Sequence, residues 1–135
     1  MTTALRRFEL TLLPERFAIS QLAANAPIPE WATQGTFFSV TRTSDELSVV
    51  CEHGRVPAGV RSQPGWSALR VHGPFALTET GVLSSLASPL AEAKLSLFTI
   101  STFDTDYLLV SSESLSAAVS ALERSGHKIH RSETK

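Results

Sequence analysis

The sequence predicts an α+β chain built from two related units, and three observations predict it. The first is an internal repeat. Residues 37–43 (Phe-Phe-Ser-Val-Thr-Arg-Thr) align with 97–103 (Leu-Phe-Thr-Ile-Ser-Thr-Phe), and 45–50 align with 105–110 at the same offset of 60. The second is the run of strand-like and helix-like segments over 66–131, in the order β-α-β-β-α-β. The third is the Gly/Pro-rich stretch 57–65, Pro-Ala-Gly-Val-Arg-Ser-Gln-Pro-Gly, which reads as a linker. The expected units are therefore 1–65 and 66–131, with 132–135 a frayed tail.

Each element has its own signal. In the first unit, 5–13 reads as a strand, about 16–24 as a helix, and 36–42 and 47–52 as strands. No second helix follows, so this unit is either truncated or exchanges a strand with the other. In the second unit, 66–71 alternates apolar and polar and stops at His72-Gly73-Pro74. Residues 81–93 carry Val82, Leu83, Leu86, Leu90 and Ala93 near helical spacing, with Pro89 expected to kink the helix or mark a new turn. Thr78 or Thr80 is expected to cap that helix. Segments 95–101 and 107–111 are rich in β-formers, and the connection 102–106 joins them. A helix over 114–124 places Leu115, Ala118, Val119 and Leu122 on one stripe, and Ser125-Gly126 ends it. Residues 127–131 form the last strand. Trp31 and Trp66 are expected to pack the units together, and Arg6 and Arg7 to be solvated.

Composition removes several classes. The 135 residues are 42% apolar and 19% charged, with a formal net charge of −1. That balance gives no basic footprint for nucleic acid. No apolar run approaches the ~20 residues that span a bilayer, and the broken apolar start is a poor secretory signal. The single cysteine, Cys51, excludes a disulfide framework. In an apolar strand it reads as an inert buried thiol. His127 and His130 point to opposite faces of a strand, poor geometry for a metal. The serines sit in no nucleophile elbow and the glycines form no phosphate cradle. A cytoplasmic domain that needs no cofactor and is not an enzyme is the expectation.

The order β-α-β-β-α-β is the ferredoxin-like order. Two motifs narrow it. Residues 100–110, Ile-Ser-Thr-Phe-Asp-Thr-Asp-Tyr-Leu-Leu-Val, follow Leu95-Ser96-Leu97-Phe98; upstream stands Leu77-Thr78-Glu79-Thr80-Gly81-Val82-Leu83, with Pro89-Leu90-Ala91 after it. Together they resemble the signature of the tandem ACT-domain group of small bacterial proteins. That group is related to the CASTOR arginine sensors and to the ACT regulatory domains of aspartate kinases. Asp45-Glu46-Leu47-Ser48-Val49-Val50-Cys51 is similar to the first-unit motif of the same group, and the likeness covers about 8–130. The resemblance implies two ferredoxin-like ACT units, a regulatory role, and a free amino acid bound where ACT units meet. It implies a homodimer and a protein target that the sequence leaves unknown. The ligand contacts it implies are Ala76, Glu79, Thr102, Phe103 and Asp106, with Ser96 and Leu97 reaching in from a neighbouring unit. Ala76 departs from the glycine often found there, and its methyl narrows the pocket.

The side chains make chemical sense of that assignment. A helix start at Thr80 and Gly81 offers free N–H groups and a dipole that favours a carboxylate. Asp106 can accept from an ammonium, Glu79 from a second cation such as a guanidinium, and Phe103 gives an apolar wall or a cation–π face. A basic amino acid fits somewhat better than an apolar one. Two other readings stand beside this: a structural or interaction module that has lost its ligand, which Ala76 favours, and a small enzyme using Glu79 with Asp106.

Overall fold

The computed structural model describes residues 6–131. Among them the elements run β1 (Glu9–Leu22), β2 (Ser39–Arg42), β3 (Leu47–Glu52), β4 (Arg61–Val71), α1 (Val82–Glu92), β5 (Phe98–Ser101), β6 (Asp106–Ser111), α2 (Leu115–Arg124) and β7 (Lys128–Arg131). Short 3-10 turns occupy Glu30–Thr33, His53–Arg55 and Ser112–Ser114. The expected tail, 132–135, lies outside the described residues. No helix among those described is long and apolar enough to cross a membrane.

The chain gathers into two compact units along a different line from a break at 65/66. One holds Glu15–Trp66; the other joins the residues up to Pro14 with those from Ser67 onward. The cause lies in two long strands. β1 gives its first half to one unit and its second half to the other, and β4 does the same.

The larger unit has the expected succession β4-α1-β5-β6-α2-β7. Its strand order is β7-β1-β4-β6-β5, so the N-terminal strand is inserted between the unit's own first and last strands. β1 runs parallel to β7, pairing Glu9 with Lys128 through Leu12 with Arg131. β5 and β6 form an antiparallel hairpin, Phe98 opposite Leu109 and Ser101 opposite Asp106. The helices bury one face against the sheet: Val82, Leu86 and Leu90 from α1 and Ala118, Ala121 and Leu122 from α2 meet Leu10, Leu12, Leu69, Val71, Leu108 and Val110. Each such leucine contributes about 1.5–3 kcal/mol on burial.

The face of β1 and β7 away from those helices is polar. His130 Nε2 lies 2.7 Å from Glu9 Oε1, and His72 Nε2 lies 2.6 Å from Thr11 Oγ1, with the two imidazoles stacked. The hydrogen bond from His130 holds the Glu9 carboxyl below the usual carboxylate range.

Both helix ends are informative. α1 continues through Pro89, which lacks the N–H that would bond the Ser85 carbonyl. That carbonyl is bonded instead by His127 Nε2 at 3.1 Å. At its C-terminus, Leu95 N–H donates to Leu90 O and Lys94 N–H to Ala91 O, both at 2.9 Å. This is a Schellman cap with Lys94, at φ +62°, in the left-handed position that usually falls to glycine. The cap turns the chain, and the strand expected from residue 95 starts only at Phe98. Lys94→Gly should relieve the strain and raise stability by about 0.5–1 kcal/mol, read in a urea titration as a higher midpoint with an unchanged slope. At the end of α2, Gly126 at φ +96° fills the equivalent position, as the sequence led one to expect.

The smaller unit has strand order β2-β3-β1-β4. β1 pairs antiparallel with β3 from Phe17–Glu52 to Leu22–Leu47, and β2 pairs with β3 from Ser39–Val50 to Arg42–Leu47. The helix expected over about 16–24 is therefore strand. Phe17, Ile19 and Leu22 suit either periodicity, and the partner strand decides. Pro14 interrupts neither ladder, because β7 pairs with residues 9–12 and β3 with 17–22. The expected linker is loop only to Val60; Pro64 and Gly65 lie within β4, the outer strand of this unit, where a missing N–H is tolerated. Ala32, Leu47, Val49 and Cys51 form one core cluster, and Trp31 packs on it within its own unit. Burial pushes the Cys51 thiol up, which keeps it inert.

This unit has no α-helix among its described residues, so only one of the two units is a complete βαββαβ fold. The repeat is a hairpin and the turn after it. Ser39–Arg42 with Leu47–Glu52 corresponds to Phe98–Ser101 with Asp106–Ser111 at an offset of 59. The offset of 60 is one residue too long, and in a strand one residue reverses the face.

Candidate functional site

Two loops of the larger unit meet beside α1. The segment between β4 and α1 passes Gly73-Pro74, whose peptide is cis. The other loop is the β5–β6 connection. It is a tight turn in which Thr102 N–H donates to Thr105 O at 2.7 Å and the Thr102 hydroxyl donates to the same carbonyl at 3.1 Å. Phe75 N–H donates to Asp104 O at 2.7 Å, and the Thr105 hydroxyl donates to Val71 O at 2.6 Å, docking one loop on the other. A Cβ on Gly73 would stand 2.9 Å from the Asp104 carbonyl oxygen, so this close approach requires glycine.

The helix start completes the site. Gly81, at φ +85°, turns the chain into α1, and no side chain caps it. The cap expected from Thr78 or Thr80 is not made; Thr80 instead offers its carbonyl to Arg6 Nη1 at 3.2 Å. The N–H groups of the first turn have no intrahelical acceptor.

Between these parts lies a pocket of about 320 Å³. From the first loop and α1 it is lined by Phe75, Ala76, Leu77, Glu79, Gly81, Val82, Leu83 and Ser84, and from the hairpin by Ser101 through Asp106. Of the residues singled out from sequence, Ala76, Glu79, Gly81, Thr102, Phe103 and Asp106 surround this one space. Thr80, Ser96 and Leu97 do not line it. Leu97 packs on the core, and Ser96 is exposed beyond the end of α1. Phe75, Leu77, Val82, Leu83, Ser84, Ser101, Asp104 and Thr105 line the pocket without having been singled out as site residues. Asp104 stands in the same connection as chosen neighbours and Ser101 directly before it, so position alone could have found them.

The electrostatics are uneven. Asp106 Oδ1 accepts from the Ser101 hydroxyl at 2.5 Å, and Asp104 is exposed at the rim. Glu79 Oε2 meets Arg6 Nη2 at 2.5 Å. Arg6 also lies over the Phe8 ring, 4.9 Å from its centroid, and Phe8 meets Phe75 edge to face. Arg6 is thus not simply solvated, and nothing local in the sequence joins it to a glutamate 73 positions away. Two apolar side chains stand out at the mouth: Phe103 is 78% exposed and Leu77 70%.

The ACT domain family matches residues 61–124, and a second family, described as an N-terminal domain, matches 15–59. The solved structure of protein Atu0741 from Agobacterium tumefaciens superposes with a TM-score of 0.90 at 43% identity, covering 96% of each chain. The regulatory subunit of aspartate kinase from Thermus thermophilus superposes with a TM-score of 0.58 at 8% identity, over 83% of this chain and 93% of that one, a likeness of fold. The human "Cytosolic arginine sensor for mTORC1 subunit 1" is 29% identical over 112 residues, 77% of this chain. The chain spans about a third of the length of that relative, 33%.

Proposed function

We propose that the chain, whose residues 61–124 match the ACT domain family, is a regulatory module whose pocket beside α1 binds a free α-amino acid. One observation carries the reading most. The uncapped start of α1 and the Asp106 carboxylate border the same pocket, as a zwitterion requires. The ligand carboxylate takes the first-turn N–H groups, where the helix dipole favours an anion. The ammonium takes Asp106, which Ser101 orients. The ligand side chain faces Ala76, Leu77 and Phe103. Because Leu77 and Phe103 are exposed at the mouth, a second copy of the chain covers the bound ligand, and ligand binding is linked to dimer geometry.

Regulation of this kind needs no bond-making. The only acid–base pair that the sequence suggested was Glu79 with Asp106, and Glu79 is already committed to Arg6. A relative named as an arginine sensor makes arginine a necessary member of the screen beside the uncharged amino acids.

The test is a melting-temperature screen against the twenty common amino acids, followed by size-exclusion chromatography with light scattering. One or a few should stabilise; a ligand at ~100 times its dissociation constant adds about 2.7 kcal/mol. A flat response up to the solubility of each amino acid refutes the reading.

A further inference from the structure

We propose that Arg6 sets the charge selectivity of this pocket, excluding ligands with a cationic side chain; the inference rests on the amino-acid reading above. Glu79 is the acid on the helix side of the pocket, and on its own it would attract a lysine or arginine side chain. The chain supplies that cation itself. Arg6 holds Glu79 through Nη2, holds the Thr80 carbonyl through Nη1, and rests on the Phe8 ring. Three contacts of different kinds fix the guanidinium, and the ion pair is partly exposed, with the Arg6 side chain at 43% and that of Glu79 at 29%. A second guanidinium or ammonium reaching Glu79 would have to displace Arg6 or stand beside it, against like-charge repulsion.

The remaining acids do not replace Glu79. Asp106 is committed to the ligand's ammonium. Asp104 stands at the exposed rim, where an ion pair is screened and worth little. The pocket therefore offers one anionic and one cationic half-site for the α-groups and no net charge for a side chain. The chemical class that fits is an α-amino acid with an uncharged side chain. The sequence-level preference for a basic ligand assumed a free Glu79.

The experiment compares wild type, Arg6→Ala, Arg6→Lys and Arg6→Ala/Glu79→Gln against the twenty amino acids and citrulline, the uncharged isostere of arginine, by calorimetry and melting temperature. Wild type should bind neutral members and hold citrulline at least as well as arginine. Arg6→Ala should shift the cationic-to-neutral affinity ratio by about five-fold toward the cation, the scale of a partly exposed ion pair. Arg6→Lys should keep the wild-type ratio, and Glu79→Gln should cancel the gain in the double variant. Retained neutral binding in Arg6→Ala shows that the pocket is still folded. If amino acids bind but the ratio is the same in wild type and Arg6→Ala, or wild type itself favours arginine, the inference fails and the pocket reading stands. If no amino acid binds any of the four, the pocket reading fails and takes the inference with it.

Discussion

His127→Ala should lower the melting temperature by roughly 10 °C. The ring is only 4% exposed and works at both nitrogens. Nδ1 accepts from the Phe8 backbone N–H at 3.0 Å, and Nε2 bonds the Ser85 carbonyl at 3.1 Å. These partners require the neutral Nε2–H tautomer. The imidazole also stacks on Phe8, centroids 5.8 Å apart. It therefore ties Phe8, the residue before β1, to α1 from the end of α2. Alanine would leave a buried N–H without a partner, at about 1–3 kcal/mol, and a part-buried carbonyl at less, plus a small cavity.

The Ser85 carbonyl needs that donor only because Pro89 cannot supply one. This gives the prediction an internal control. Pro89→Ala restores an N–H four residues on, so it should stabilise His127→Ala more than it stabilises wild type, by about 1 kcal/mol in a double-mutant cycle. Additive effects would mean that the histidine and the proline do not share the carbonyl. Chemical denaturation of the four proteins reads both quantities.

Much of the fold was legible because it is local. β3, β6 and α2 carry their own periodicity, and Ser125-Gly126 has the composition of a helix end. The failures have a common physical source. Residues 16–24 are apolar at spacings that serve a helix or a strand, and only pairing with residues 47–52 selects the strand. Pro64 and Gly65 look like a loop until one sees that β4 is the outer strand there. No local pattern announces that residues 9–12 insert beside β7, because that choice is made by a segment more than a hundred residues away. The site divides in the same way. Its loop residues cluster in two short motifs and could be named. The guanidinium that compensates Glu79 comes from the other end of the chain and could not. Lys94 is a third kind of failure: the helix end was legible, but not that a lysine would occupy the left-handed position.

Asp106→Asn should abolish the stabilisation by amino acids while leaving the unliganded protein nearly unchanged. Asp106 begins β6 opposite Ser101, at the turn end of the hairpin, half-buried, and its carboxylate accepts a hydrogen bond from that serine's hydroxyl. Asparagine keeps the shape and an acceptor for that bond, so folding loses little; a change of less than about 0.5 kcal/mol is expected. The ligand's ammonium loses a charge-assisted bond worth about 1.5–3 kcal/mol, a ten- to hundred-fold drop in affinity. The arithmetic makes the screen decisive. A ligand at 100 times its dissociation constant adds about 2.7 kcal/mol, but after a hundred-fold loss the same concentration adds only about 0.4. The melting shift should shrink from roughly 10 °C to one or two. Asp104→Asn, two residues away at the exposed rim, should leave the shift intact and controls for a general loss of negative charge. If Asp106→Asn retains the full shift, the ammonium is held elsewhere and the orientation of the ligand across the pocket is wrong. If Asp104→Asn removes it instead, the rim carboxylate is the ammonium site, and the helix start must face the ligand from a different angle.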